Sequence, residues 1–104
     1  MNLVNKKLLL DIIFLMNNKY GVLYGFKKEA QSVVGYLRIM PEGKSGSNGQ
    51  YDIVEEEDQA SKFPKTAKNG WDAVKICDFM NGEDELAEWQ FHVVWRNKDV
   101  ANNS

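Results

Sequence analysis

Glu88-Trp89-Gln90-Phe91-His92-Val93-Val94-Trp95-Arg96 decides how this chain is read. Trp89, Phe91, Val93 and Trp95 alternate with Gln90, His92, Val94 and Arg96. Side chains of an extended strand point alternately to opposite faces, so this period of two predicts a strand with one strongly apolar face. Buried aromatics remove on the order of 150–250 Å² each from water. A face carrying three of them needs a sheet beside it and a layer over it.

Two further runs supply strands. Tyr20, Val22, Tyr24 and Phe26 alternate with Gly21, Leu23, Gly25 and Lys27. Val33, Gly35, Leu37 and Ile39 alternate with Val34, Tyr36, Arg38 and Met40. The polar stretch Lys28–Ser32 between them is suited to closing a hairpin. Pro41 ends the second run, because proline has no amide to donate. Gly43-Lys44-Ser45-Gly46-Ser47-Asn48-Gly49 reads as a flexible loop, and Tyr51–Val54 as a short third strand. Gln59–Lys65 reads as a loop.

Two helices complete the pattern. Asn2 is placed to cap one from Leu3 to about Asn17, where Val4, Leu8, Ile12 and Leu15 form a stripe widened by Leu9, Ile13 and Met16. A helix so apolar fits as the layer over the aromatic sheet face. The second begins near Thr66–Asn69, with Ala73, Ile76, Cys77 and Met80 as its apolar side. Asn81-Gly82 supplies a stop, because both residue types tolerate the left-handed conformation. The expected fold is α+β: an antiparallel sheet of about four strands with helices packed on one face, in the order α-β-β-β-α-β. Residues 1–104 read as a single domain, with 97–104 a polar, frayed tail.

Composition narrows the function classes. At 43% hydrophobic over 104 residues, the chain has material for a core without metals or bridges. Its one cysteine forms no internal disulfide and suits a reducing compartment. Leu8–Met16 is too short to cross a membrane and contains Asp11. Asn17-Asn18-Lys19-Tyr20 follows it in place of a small-residue cleavage site. A cytoplasmic location without membrane contact is therefore expected, with a homodimer through the apolar first helix as one possible assembly.

Catalytic signatures are weak. Gly43-Lys44-Ser45 lacks the earlier glycine of a phosphate loop, since Arg38 stands there, and no helix start follows. Cys77 and His92 are the residue types of a thiol–imidazole pair, but Cys77 falls on an apolar helix face, where cysteine is usually inert packing. There is no cluster of four metal ligands. No catalytic residue, cofactor or metal is expected, and an enzyme with an unrecognised site is the outlying reading.

Charge gives the functional hint. Residues 1–51 sum to +4 and residues 52–104 to −6. The acids concentrate in Asp52, Glu55, Glu56, Glu57 and Asp58, and in Glu83, Asp84, Glu85 and Glu88. Such runs create a one-sided field that attracts a basic partner. Asp52, Glu55–Asp58 and Glu83–Glu85 are thus candidate partner-binding residues. Tyr51, Phe63 and Trp71 are candidate aromatic anchors beside them.

Two resemblances follow from these residues. In size, acidity and aromatic-rich strands the chain resembles immunity proteins of bacterial toxins and phage-encoded inhibitors of host defence enzymes. That likeness implies a protein-binding inhibitor of a basic partner, such as a toxin or nuclease. Separately, the order helix–three strands–helix with Lys65-Thr66-Ala67-Lys68-Asn69 is similar to a double-stranded-RNA-binding domain. It implies that Lys65 and Lys68 contact phosphates. The acidic run at Glu55–Asp58, just before that segment, opposes a nucleic-acid partner.

Overall fold

A computed structural model describes residues 19–97. The elements are β1 (Lys19–Lys27), β2 (Ala30–Ile39), β3 (Tyr51–Val54), a 3-10 turn at Glu57–Gln59, β4 (Phe63–Pro64), helix α1 (Ala73–Asn81), a 3-10 turn at Asp84–Leu86, and β5 (Trp89–Asn97). This corrects the expected order. The described residues form a five-stranded antiparallel sheet with one α-helix, still broadly α+β. The expected first helix, Leu3–Asn17, lies outside the described residues, as does most of the expected frayed tail.

β1 is the central strand. β5 pairs with it over nine consecutive residues in one register, from Lys19↔Asn97 to Lys27↔Trp89. On its other side β1 meets β2 only between Tyr24 and Lys27. The register there jumps from Phe26↔Val34 to Lys27↔Ala30, so Gln31–Val33 form a bulge. Beyond Tyr24 the two strands part. The segment Ser61–Pro64 fills the gap: Ser61 N–H donates to the Leu37 carbonyl and Ser61 Oγ accepts from Ile39 N–H. Phe63 and Pro64 then pair with Gly21 and Tyr20. β3 adds to the outer side of β2, with Leu37↔Ile53 in register.

The fifth strand escapes the sequence pattern for a physical reason. Two residues show no alternation, and Pro64 is tolerated because β4 does not need a full ladder. α1 also starts later than expected. Its first turn is capped by Asp72, whose Oδ1 accepts from Lys75 N–H at 3.0 Å. Before the cap, Gly70 takes φ +81° and Asn69 Oδ1 accepts from Trp71 N–H, which makes a turn of the region expected to begin the helix. Gly82 ends the helix, but at φ −103° rather than in the left-handed region.

The sheet has two unequal faces. α1 covers the face that bears Leu23, Leu37, Tyr51, Phe63, Trp89 and Phe91, and Ala73, Cys77 and Met80 join this core. The Trp89 and Phe91 rings stack with centroids 6.3 Å apart. Gly21 lets the helix approach, since a Cβ there would lie 2.9 Å from that of Ala73. The other face bears Val22, Val54 and Ala60, with Tyr20, Tyr36 and Val94 around them. The β3–β4 connection crosses over this second face. Trp89, Phe91, Val93 and Trp95 share one face as expected, and α1 lies over it; the first helix expected there lies outside the described residues. The cover is incomplete: Trp89 is 6% exposed and Trp95 39%.

Candidate functional site

Glu55–Asp58 and Glu83–Glu85 lie at opposite ends of β3, and Asp52 lies within the strand. Four strand residues separate the two ends by about 10 Å. Near the Tyr51 end, Glu83 Oε2 accepts from the Tyr51 hydroxyl at 2.8 Å. Glu85 Oε2 accepts from Gln50 N–H at 3.1 Å, and the Glu85 carbonyl accepts from Asn48 Nδ2. Gly49, at φ +68°, leaves no room for a Cβ because the Glu85 carboxylate occupies that space. The glycine-rich segment read as a flexible loop is therefore tied down. Ser47 Oγ donates to Asp52 Oδ1 at 2.8 Å, and this bond holds the Asp52 carboxyl below its ordinary value.

At the other end of β3, Glu57 reaches across the second sheet face to Arg96 of β5. Arg96 Nη2 donates to Glu57 Oε1 at 2.9 Å, and Nε donates to both carboxylate oxygens. The carboxylate raises the Arg96 pKa further. Tyr36 beside it is raised by burial first and by the Glu57 charge second. Glu57 thus fastens the crossing segment over Tyr20, Tyr36 and Val22, and its charge is largely spent inside the fold. Among the described residues, Glu55, Glu56 and Asp58 have no ion-pair partner and are exposed. Asp84 is likewise exposed in its turn.

Two expected anchors are corrected. Tyr51 is 8% and Phe63 7% exposed, because each sits on the face under α1. Burial pushes the Tyr51 hydroxyl up to about 12, with the Glu83 hydrogen bond second. Neither ring is free to enter a partner. Trp71 is the anchor that remains available, at 45% exposed. It meets Phe79, 49% exposed, edge to face with centroids 5.7 Å apart. Val74, 51% exposed, is a separate exposed apolar side chain of α1. The pairing joins a residue before the helix cap to one in its last turn, and no short-range periodicity displays it.

No protein-family model matches the chain, and comparison with curated proteins and with solved structures gives no significant match.

The remaining motifs separate in space. Cys77 is buried under the sheet, where its Sγ donates to the Phe91 carbonyl at 3.4 Å and burial pushes the thiol pKa up. His92 lies on the opposite face, edge to face with Tyr24 at 5.4 Å. The sheet stands between thiol and imidazole, so they form no nucleophile–base pair. Gly43-Lys44-Ser45 precedes no helix. Lys65–Asn69 is not a helix start either. Lys65 instead lies 5.9 Å from the Trp95 ring centroid. No group of three potential metal ligands occurs among the described residues. No helix among them is long and apolar enough to cross a membrane.

Proposed function

We propose that this chain is a protein-binding module of the inhibitor or immunity type, acting on a partner with a basic surface. The observation that carries the reading is the exposed Trp71–Phe79 pair on α1. Interfaces draw most of their affinity from a few such aromatics set in a polar rim. The polar surround is mixed in charge, since exposed Lys75 stands one turn before Phe79 on the same side of the helix. Asp78 is exposed between Val74 and Phe79 in the same helix, and Asp84 follows in the next turn. Acids at a rim contribute association rate and partner choice more than affinity. Glu55, Glu56 and Asp58 lie on the connection that crosses the other sheet face, so they act on a basic partner through the longer-range field rather than at the rim of this pair.

The test is capture of the partner from the source cells, followed by binding kinetics of the recovered protein. Trp71→Ala/Phe79→Ala is expected to weaken binding by a factor of about ten to one hundred, mostly through dissociation. Glu55→Lys/Glu56→Lys/Asp58→Lys is expected to slow association, more at low than at high salt. A thermal melt of each variant is expected to match the wild type within a few degrees. A partner that binds both variants as tightly and as fast as the wild type overturns the proposal.

A further inference from the structure

The outer edge of β5 divides at its middle. Lys28 N–H donates to the Glu88 carbonyl at 2.9 Å, which sets the phase of the β1–β5 ladder. In an antiparallel pair the bonded residues alternate, so the main chains of Gln90, His92, Val94 and Arg96 turn toward β1. Those of Phe91, Val93 and Trp95 turn outward. The outward group at Phe91 is occupied. The Asn81 side chain accepts from Phe91 N–H at 2.8 Å and donates to its carbonyl at 3.0 Å, as a neighbouring strand would. Past that point, among the described residues, Val93 N–H, Val93 C=O and Trp95 N–H have no partner. The Trp95 carbonyl accepts one bond from the exposed Arg96 Nη1 at 3.2 Å and keeps a second lone pair.

Such an edge invites another strand unless a bulge, a proline or an unpaired charge blunts it. This one has an unbroken nine-residue register, contains no proline, and holds its one arginine in the bond to Glu57. We propose that a second copy of this chain adds to the open half of β5, antiparallel, about a two-fold axis at Val94. In that register Val93 faces Trp95 of the second copy, and the pair exchanges two hydrogen bonds on each side of the axis. Val94 faces Val94 as a non-bonded pair, the arrangement in which side chains come closest. Every apolar residue meets an apolar one: Val94 with Val94 on one face, Trp95 with Val93 on the other. Arg96 meets His92, so no like charges oppose.

The Asn81 contact sets the limit of the pairing. It blocks any register that needs Phe91, and it leaves only His92–Arg96 to pair. A register about Trp95 would set Val94 against the Arg96 guanidinium. A self-complementary edge of this length fits a second copy, because the two-fold repeats each favourable contact. The short overlap buries less than the ~1,000 Å² of a stable interface, so a weak, reversible dimer is expected.

The test uses the full chain. Sedimentation of the wild type is expected to show a concentration-dependent monomer–dimer equilibrium. Over the same range, amide exchange at Val93 and Trp95 is expected to slow about tenfold, while Val94, already bonded to β1, stays unchanged. Val94→Cys is expected to cross-link under a mild oxidant about ten times faster than His92→Cys, with the wild type as control for Cys77. The exchange measurement stands even if Val94→Cys folds poorly. A monomer at millimolar concentration overturns the proposal. So does a dimer whose Val93 and Trp95 amides exchange freely, which would place the contact elsewhere. Faster cross-linking through Trp95→Cys than through Val94→Cys overturns the two-fold at Val94.

Discussion

The two halves of β5 share a sequence pattern and have different fates. In the first half, Trp89 and Phe91 lie under α1 and join the main core. The outward main chain of Phe91 is closed by Asn81. In the second half, Trp95 reaches only the space above Gly21 beside Ala73, with Lys65 on its other side. Its neighbour Arg96 is anchored not by the helix but by Glu57 of the crossing segment. Alternation decides which way a side chain points. How far the covering element extends decides what that direction is worth. A nine-residue helix spans about 13 Å, whereas a nine-residue strand spans about 30 Å, so one short helix cannot cover a whole strand.

The largest effect sought is the contrast between the two tryptophans. Trp89→Ala is expected to cost roughly 3–5 kcal/mol, as truncation of a buried aromatic does. Trp95→Ala is expected to cost less than about 1 kcal/mol, because much of its ring already meets water. Urea unfolding of both variants reads this directly. Equal losses would mean that the far half of β5 is covered as fully as the near half.

Asn81 sharpens the same boundary. Asn81→Ala leaves the outward N–H of Phe91 without a partner and its carbonyl with only the weak Cys77 thiol donor, in a part-buried setting, which costs about 2 kcal/mol. Asn81→Asp retains the acceptor for Phe91 N–H and loses the donor to its carbonyl, so an intermediate loss is expected. Exchange of the Phe91 amide is expected to quicken in Asn81→Ala and to stay slow in Asn81→Asp. An unchanged Phe91 amide in Asn81→Ala would show that the edge is closed by something other than this side chain.

The strand faces, the extent of β3 and the apolar side of α1 were legible because each repeats a local period that burial imposes. What was not legible depended on partners far away in sequence. The start of α1 was expected near Thr66–Asn69, but the turn at Gly70 moves it to the Asp72 cap. Tyr51 and Phe63 read as rim aromatics because loops flank them. Their inward direction follows from the registers with β2 and β1, which no local pattern states. Among the acids, the sequence shows how many there are but not which are already engaged. Glu57 and Arg96 are 39 residues apart, and only the crossing of the β3–β4 connection over the sheet brings them together.

That crossing supplies the smallest of the expected effects. The Arg96 side chain is 45% and that of Glu57 31% exposed, so solvent screens the pair and its contribution stays at or below about 1 kcal/mol despite the forked geometry. Glu57→Gln is expected to lower stability by about 0.5 kcal/mol at low salt and by less at high salt, as the Coulomb part is screened away. Glu55→Gln, two residues earlier and unpaired among the described residues, is expected to leave stability unchanged under both conditions. Paired urea melts at two salt concentrations measure the difference. If Glu57→Gln behaves like Glu55→Gln, the crossing segment is held by Ala60 and Val54 packing on Val22 and by the Ser61 hydrogen bonds, not by the ion pair. The far half of β5 would then lack the tether that stands in for the helix, and Trp95→Ala should become the more costly change there.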